Sequence, residues 1–249
     1  MGADRQDLGR EARPVTTDPL ALLCAGAAKG LVTAVGPALT AETGVAIDGT
    51  YGAVGALVEK LKGGARCDAI VLTAALIACL EKEGWVVPGS TAPLGSVATA
   101  VAVAQGAPRP AIGDVSALHA TLVAATRLYF PDPERATAGI HFRDVLRRLG
   151  IADVVATRCA TFENGAAAMA ALAGSTDHGA IGCTQATEIL YTPGVELIGT
   201  LPQGFALATL YSAAVCRRAR APEAAHRLLE MLAGPASRET RVGCGFGAV

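Results

Sequence analysis

From Leu20 to Gly84 the chain alternates strand and helix three times without a break, and few architectures admit that order. The apolar run LALLC reads as a buried strand. The segment AAKGLVTAVGPALTAETG that follows puts Leu31, Val35 and Leu39 on one face of a helix closed by Gly44. VAIDGTYG with AVGALVEKLKGG repeats the pair, and CDAIVLT with AALIACLEKEG repeats it again. Parallel strands need crossover segments between them, so this order predicts an α/β fold with a mainly parallel sheet flanked by helices.

After VVPGSTAPLG the character changes. SVATAVAVA is a long alternating strand, and QGAPRPAIGDVSALHATLVAA gives a proline-rich turn and a helix. RLYF reads as a strand, PDPERATAGIHFRDVLRRLG as a loop and helix, NGAAAMAALAG as a helix, and GAIGCTQATEIL as a strand running into a helix start. VELIGTLPQGFALATLYSAAVC supplies two strands, and APEAAHRLLEMLAG closes the chain with an amphipathic helix. The expected organisation is two lobes: residues 17–95 with 205–249 as lobe one and 96–204 as lobe two. Residues 1–16, polar and rich in charge, read as a disordered arm.

Several functions are disfavoured by the same residues. Pro88, Gly89, Pro93 and Gly95 interrupt the longest uncharged stretch, so no membrane insertion is expected. A net charge of −1 leaves no footprint for nucleic acid. The seven cysteines are an odd number without paired spacing, and His119, His178 and His226 stand alone, so neither a metal nor a cofactor is expected. No secretory signal is legible near the first residues, which predicts a cytoplasmic location, or a periplasmic one if a leader was removed. A monomer is the default for such an architecture.

The succession LLCAGAAKGLVTAVGPALTAETGVAIDGTYGAVGALVEKLKGGARCDAIVLTAALIACLEKEG resembles the opening of the molybdate-binding type of ABC-transporter solute-binding proteins. These form a type II periplasmic-binding-protein-like family whose relatives include aconitate isomerase. The resemblance covers roughly residues 20 to 245. It implies two lobes joined by two crossing strands, SVATAVAVA and FALATLYSAAV, with a small anionic ligand between them. It also implies an ABC permease as partner if the chain is exported.

The resemblance assigns the ligand to loops at strand ends and helix starts, here Gly26, Ala27, Ala28, Gly52, Ala53 and Val54. The family typically offers serine hydroxyls in these two loops, and this chain has none there. Thr73, Thr137, Asn164, Thr184 and Gln185 are candidate neutral donors, and Lys29 and Arg135 candidate cations. Charged, bidentate partners suit a flexible carboxylate better than a tetrahedral oxyanion, which favours an organic polycarboxylate over molybdate.

Two function classes stay open. One is a binding protein that closes on its anion. The other is an isomerase that moves a proton along the allyl system of a tricarboxylate, with Glu134, His141 or Cys24 as base and Lys29 and Arg135 stabilising the developing charge. Each residue also has a plain structural reading. Lys29 can be a solvated helix lysine, Cys24 an inert buried thiol, His141 a residue just off the Phe142–Leu146 face, Thr137 and Asn164 helix caps, and Glu188 a surface carboxylate.

Overall fold

A computed structural model describes residues 18–248. The arm expected over 1–16 lies outside the described residues. The strands are β1 (Leu20–Ala25), β2 (Ile47–Gly52), β3 (Ala69–Thr73), β4 (Ala92–Ala104), β5 (Leu128–Pro131), β6 (Cys159–Phe162), β7 (Ile181–Gln185), β8 (Val195–Thr200) and β9 (Ala208–Val215). The helices are α1 (Lys29–Thr43), α2 (Val54–Lys62), α3 (Ala74–Lys82), α4 (Val115–Ala124), α5 (Thr137–Arg148), α6 (Ala152–Val155), α7 (Gly165–Ala173), α8 (Ala186–Tyr191), α9 (Pro222–Ala233) and α10 (Arg238–Gly243).

Local chemistry explains many of the boundaries. A single tight turn, Gly26–Ala28, leads into α1, and Gly44 ends that helix with φ at 72°, a backbone angle that favours glycine. Asp114 caps α4 and Asn164 caps α7, each accepting a backbone N–H three residues on, at 2.8 and 2.9 Å. Thr137 is the first residue of α5 and makes no cap hydrogen bond, because Ala136 occupies the cap position. Its hydroxyl is left for other partners.

The strands follow one mixed, curled path, β2-β1-β3-β9-β4-β7-β5-β6, with β8 also paired to β4. β1 pairs in parallel with β2 and β3, and β5 pairs in parallel with β6 and β7. β4 links the two halves. Its residues from Ala92 to Ala98 pair with β9, and those from Thr99 onward pair with β7 and β8. The second crossing is the chain between β8 and β9, held to β4 where Thr99 N–H donates to the Leu207 carbonyl at 2.9 Å. Separate apolar cores lie on the two sides: Leu22, Leu31, Ile70 and Leu228 in one, Leu118, Phe130, Phe142 and Val145 in the other.

Buried Asp68 ties the first half together. Its carboxylate accepts from the Ala21 and Ala221 backbone N–H groups at 2.8 and 3.2 Å and from Arg220 N–H at 2.5 Å, joining β1, β3 and the approach to α9. No described helix is long and apolar enough to cross a membrane.

Candidate functional site

A narrow cleft separates the two halves of the sheet. Its walls are Ala25, Gly26 and Ala27 after β1, Gly52, Ala53 and Val54 after β2, Pro131 and Ala136–Ala138 around the start of α5, and Asn164–Gly165 at the start of α7. Gln185, Glu188 and Tyr211 complete it. The small residues matter because they let backbone N–H groups at the starts of α2, α5 and α7 approach the space directly. The space the walls enclose is only about 20 Å³.

Contacts bridge the cleft rim. Gly55 N–H on α2 donates to the Arg135 carbonyl at 3.1 Å, and Arg135 Nε lies 3.6 Å from Glu59 Oε1. Lys29 Nζ sits 5.4 Å from the Tyr51 ring centre and 5.1 Å from that of Tyr191 on α8. Burial pushes the Tyr51 hydroxyl up to about 12, with Cys24 and Tyr191 adding to the effect.

Glu188 is the unexpected member. The sequence reading placed it at the surface, yet only 6 % of it is exposed. It is the third residue of α8, and its carboxylate reaches back to the backbone N–H of Gln185, the capping position, as in one half of a capping box. It also accepts from Thr184 Oγ1 at 2.5 Å and from the Gly165 N–H. A methyl group at Gly26 would collide with Glu188 Oε1, and one at Gly165 with Oε2. Burial pushes this carboxyl above its ordinary range, and the three hydrogen bonds only partly offset that.

Tyr211 on β9 was also missed. Its hydroxyl meets Gln185 Nε2 at 3.2 Å and is hydrogen-bonded to the Thr137 side chain. Burial, followed by the neighbouring Glu188, holds the phenol protonated. Gln185 Oε1 is buried without a partner. Rotating the amide by half a turn would let Oε1 accept from Tyr211 and leave the NH₂ without a partner.

The structure brings together Gly26, Ala27, Gly52, Ala53, Val54, Thr137, Asn164 and Gln185 of the expected set, with Thr184 behind them bound to Glu188. Others lie elsewhere. Ala28, the last residue of the turn, is fully buried in the core, and Thr73 caps α3 by accepting from Leu76 N–H at 3.4 Å. Lys29 and Arg135 do not line the cleft, because the tyrosine rings and the rim contacts engage them.

None of the expected bases faces the cleft. Glu134 is exposed on the outer loop with Asp132 and Glu163. His141 donates from Nε2 to the Phe205 carbonyl at 2.7 Å, away from the lining. Cys24 is fully buried, and burial raises its thiol far out of the reactive range. Among the described residues no group of His, Cys, Asp and Glu could hold a metal ion.

Known proteins give this architecture a family. Residues 20–247 match the model for bacterial extracellular solute-binding proteins. An aconitate isomerase from Pseudomonas sp. is 29 % identical over 230 residues, 89 % of this chain and 84 % of that protein. The Azotobacter vinelandii periplasmic molybdate-binding protein superposes with a TM-score of 0.76 at 17 % identity, covering 92 % of this chain and 99 % of that one. A sulfate-binding protein from Mycobacterium tuberculosis gives 0.72 at 20 % identity over 93 % and 87 %. The two structures share the periplasmic-binding-protein fold, and the match over nearly the whole described length means that this chain belongs to the bacterial extracellular solute-binding protein family.

Proposed function

We propose that this chain closes on a small organic polycarboxylate and moves a proton along it, an isomerisation of an unsaturated tricarboxylate of the aconitate type. The observation that carries the reading is Glu188, a buried carboxyl set between two glycines in the lining of a cleft that otherwise carries no charged side chain. Burial raises its proton affinity above that of an ordinary carboxylate, which suits a group that both accepts and returns a proton. In the base form it removes a proton from the carbon next to a substrate carboxylate. The charge then spreads into that carboxylate, where backbone N–H groups at the helix starts, Thr137 and Tyr211 can meet it. Return of the proton at the far end of the allyl system completes the exchange.

Similarity to aconitate isomerase supports the substrate class. The lack of serine hydroxyls at Gly26–Ala28 and Gly52–Val54 weighs against a tetrahedral oxyanion. A thermal-shift screen of molybdate, tungstate, sulfate, phosphate, citrate, cis-aconitate and trans-aconitate tests it, because a ligand that binds only the folded state raises the midpoint. Stabilisation by the tricarboxylates supports the reading, and stabilisation by molybdate or tungstate alone overturns it.

A second reading, binding without turnover and delivery to an ABC permease, is favoured by one specific feature. Thr184, Gln185 and Gly165 already occupy the Glu188 carboxylate, which suits a brace between α7 and α8 as well as an acid.

A further inference from the structure

Far from the cleft, on the opposite end of β3 and β9, two thiols meet. Cys216 Sγ donates to Cys67 Sγ at 3.1 Å, and Cys67 Sγ donates to the Ala69 carbonyl at 3.0 Å. Cys67 lies just before β3 and Cys216 just after β9, neighbouring antiparallel strands whose ends are fastened by Cys216 N–H to the Asp68 carbonyl at 2.9 Å. Among the described residues no other pair of sulfurs comes into such contact. Both cysteines are buried, and both belong to the lining of a pocket of about 390 Å³ that also holds Arg66, Arg217, Arg218 and Arg220 with Glu83 and Trp85.

We propose that Cys67 and Cys216 form a disulfide that staples β3 to β9 when the chain meets an oxidising thiol pool. A disulfide needs its sulfurs about 2.05 Å apart, so closure asks for roughly an ångström less than the present separation. The oxidant is a small disulfide bearing carboxylates, which the arginine-lined pocket suits by charge. The Cys67 thiolate attacks it, forming a mixed disulfide and releasing one thiolate. The Cys216 sulfur, after losing its proton, then attacks the Cys67 sulfur and releases the second. Two protein thiols lose two protons and two electrons, and the small disulfide becomes two thiols. Cys216 donates its thiol proton to the Cys67 sulfur, so the attacking sulfur is assigned as that of Cys67.

The bond would close a loop through most of the chain, since 149 positions separate the two residues. Long loops are where a cross-link restrains the unfolded state most. The inference is independent of the chemistry in the cleft.

The test is incubation of the purified protein with glutathione disulfide, followed by a thiol count in denaturant and peptide mapping. The expected result is loss of two of the seven thiols, a peptide linking Cys67 to Cys216, and a thermal midpoint raised by roughly 5 to 15 °C that dithiothreitol reverses. Cys216→Ser should keep all its remaining thiols under the same treatment. Seven retained thiols in the wild type, or a link through exposed Cys79 instead, overturns the proposal. A Cys67–Cys216 link that leaves the midpoint unmoved overturns its role as a staple.

Discussion

The Glu188 carboxyl stands where a side chain at Gly165 would have to go. A methyl group there would overlap both Glu188 Oε2 and the Thr184 hydroxyl that binds it. Two separate segments, the start of α7 and the start of α8, are therefore fitted to each other around one acid.

Gly165→Ala should displace that acid, lowering the thermal midpoint by several degrees and abolishing ligand-induced stabilisation, as expected of a buried overlap costing about 1–3 kcal/mol. Gly26→Ala should act on ligand response in the same direction, through Oε1. Gly36→Ala is the control. It lies inside α1, its new methyl would meet only Ile47 Cδ1 at 3.7 Å, and it should stabilise by about 0.5–1 kcal/mol. Urea unfolding of the three variants checks the ordering.

Glu188→Gln keeps the shape and removes the transferable proton. The expected outcome is isomerase activity reduced by at least about 100-fold with the tricarboxylate-induced midpoint shift retained. Equal activity in the variant and the wild type would assign Glu188 to bracing alone.

Burial raises the Glu188 carboxyl above its ordinary 4.5. Between the unfolded and folded values the native state binds more protons than the unfolded one, so this group's contribution to stability falls as pH rises through that window and is level above it. The Glu42 carboxyl, held below its ordinary value by Arg227, contributes the opposite slope at lower pH. Subtracting the Glu188→Gln midpoint from that of the wild type at each pH isolates the first effect, and the difference should decline with rising pH.

Lys29 bridges Tyr51 and Tyr191 rather than lining the cleft. Lys29→Met should cost about 1–2 kcal/mol of stability at the two ring faces while changing tricarboxylate affinity by less than about threefold. Calorimetric titration beside a urea melt checks both. A tenfold loss of affinity at unchanged stability would return Lys29 to the site.

The α/β alternation up to Gly84 was legible because a parallel sheet needs a crossover between its strands, and that need writes strand and helix periods into the chain. The small-residue loops at Gly26–Ala27 and Gly52–Val54 were legible as strand-to-helix turns of small residues, and both line the cleft. β6 is a partly exposed edge strand with no buried residue, whereas the equally short β5 is mostly buried and its apolar run in RLYF was legible. Glu188 was hidden because its burial comes from Gly26 and Gly165, neither of them near it in sequence. One local signal was present, a glutamate three residues after Gln185 at a strand end, which is the spacing of a capping box. The aromatic neighbours of Lys29 were not legible because they lie 22 and 162 residues further along the chain, a distance no helix pattern reveals. Cys67 and Cys216 met only through the β3–β9 pairing.

Proton transfer by Glu188 is tested most directly by incubating the protein with trans-aconitate in deuterium oxide and following the carbon-bound protons by NMR. Wild-type protein should form cis-aconitate with solvent deuterium entering at the exchanging carbons, and Glu188→Gln should do neither while still showing a ligand-induced midpoint shift. If wild-type protein is stabilised by trans-aconitate yet neither interconverts it nor exchanges its protons, the cleft binds without turning over, and the isomerase reading is wrong.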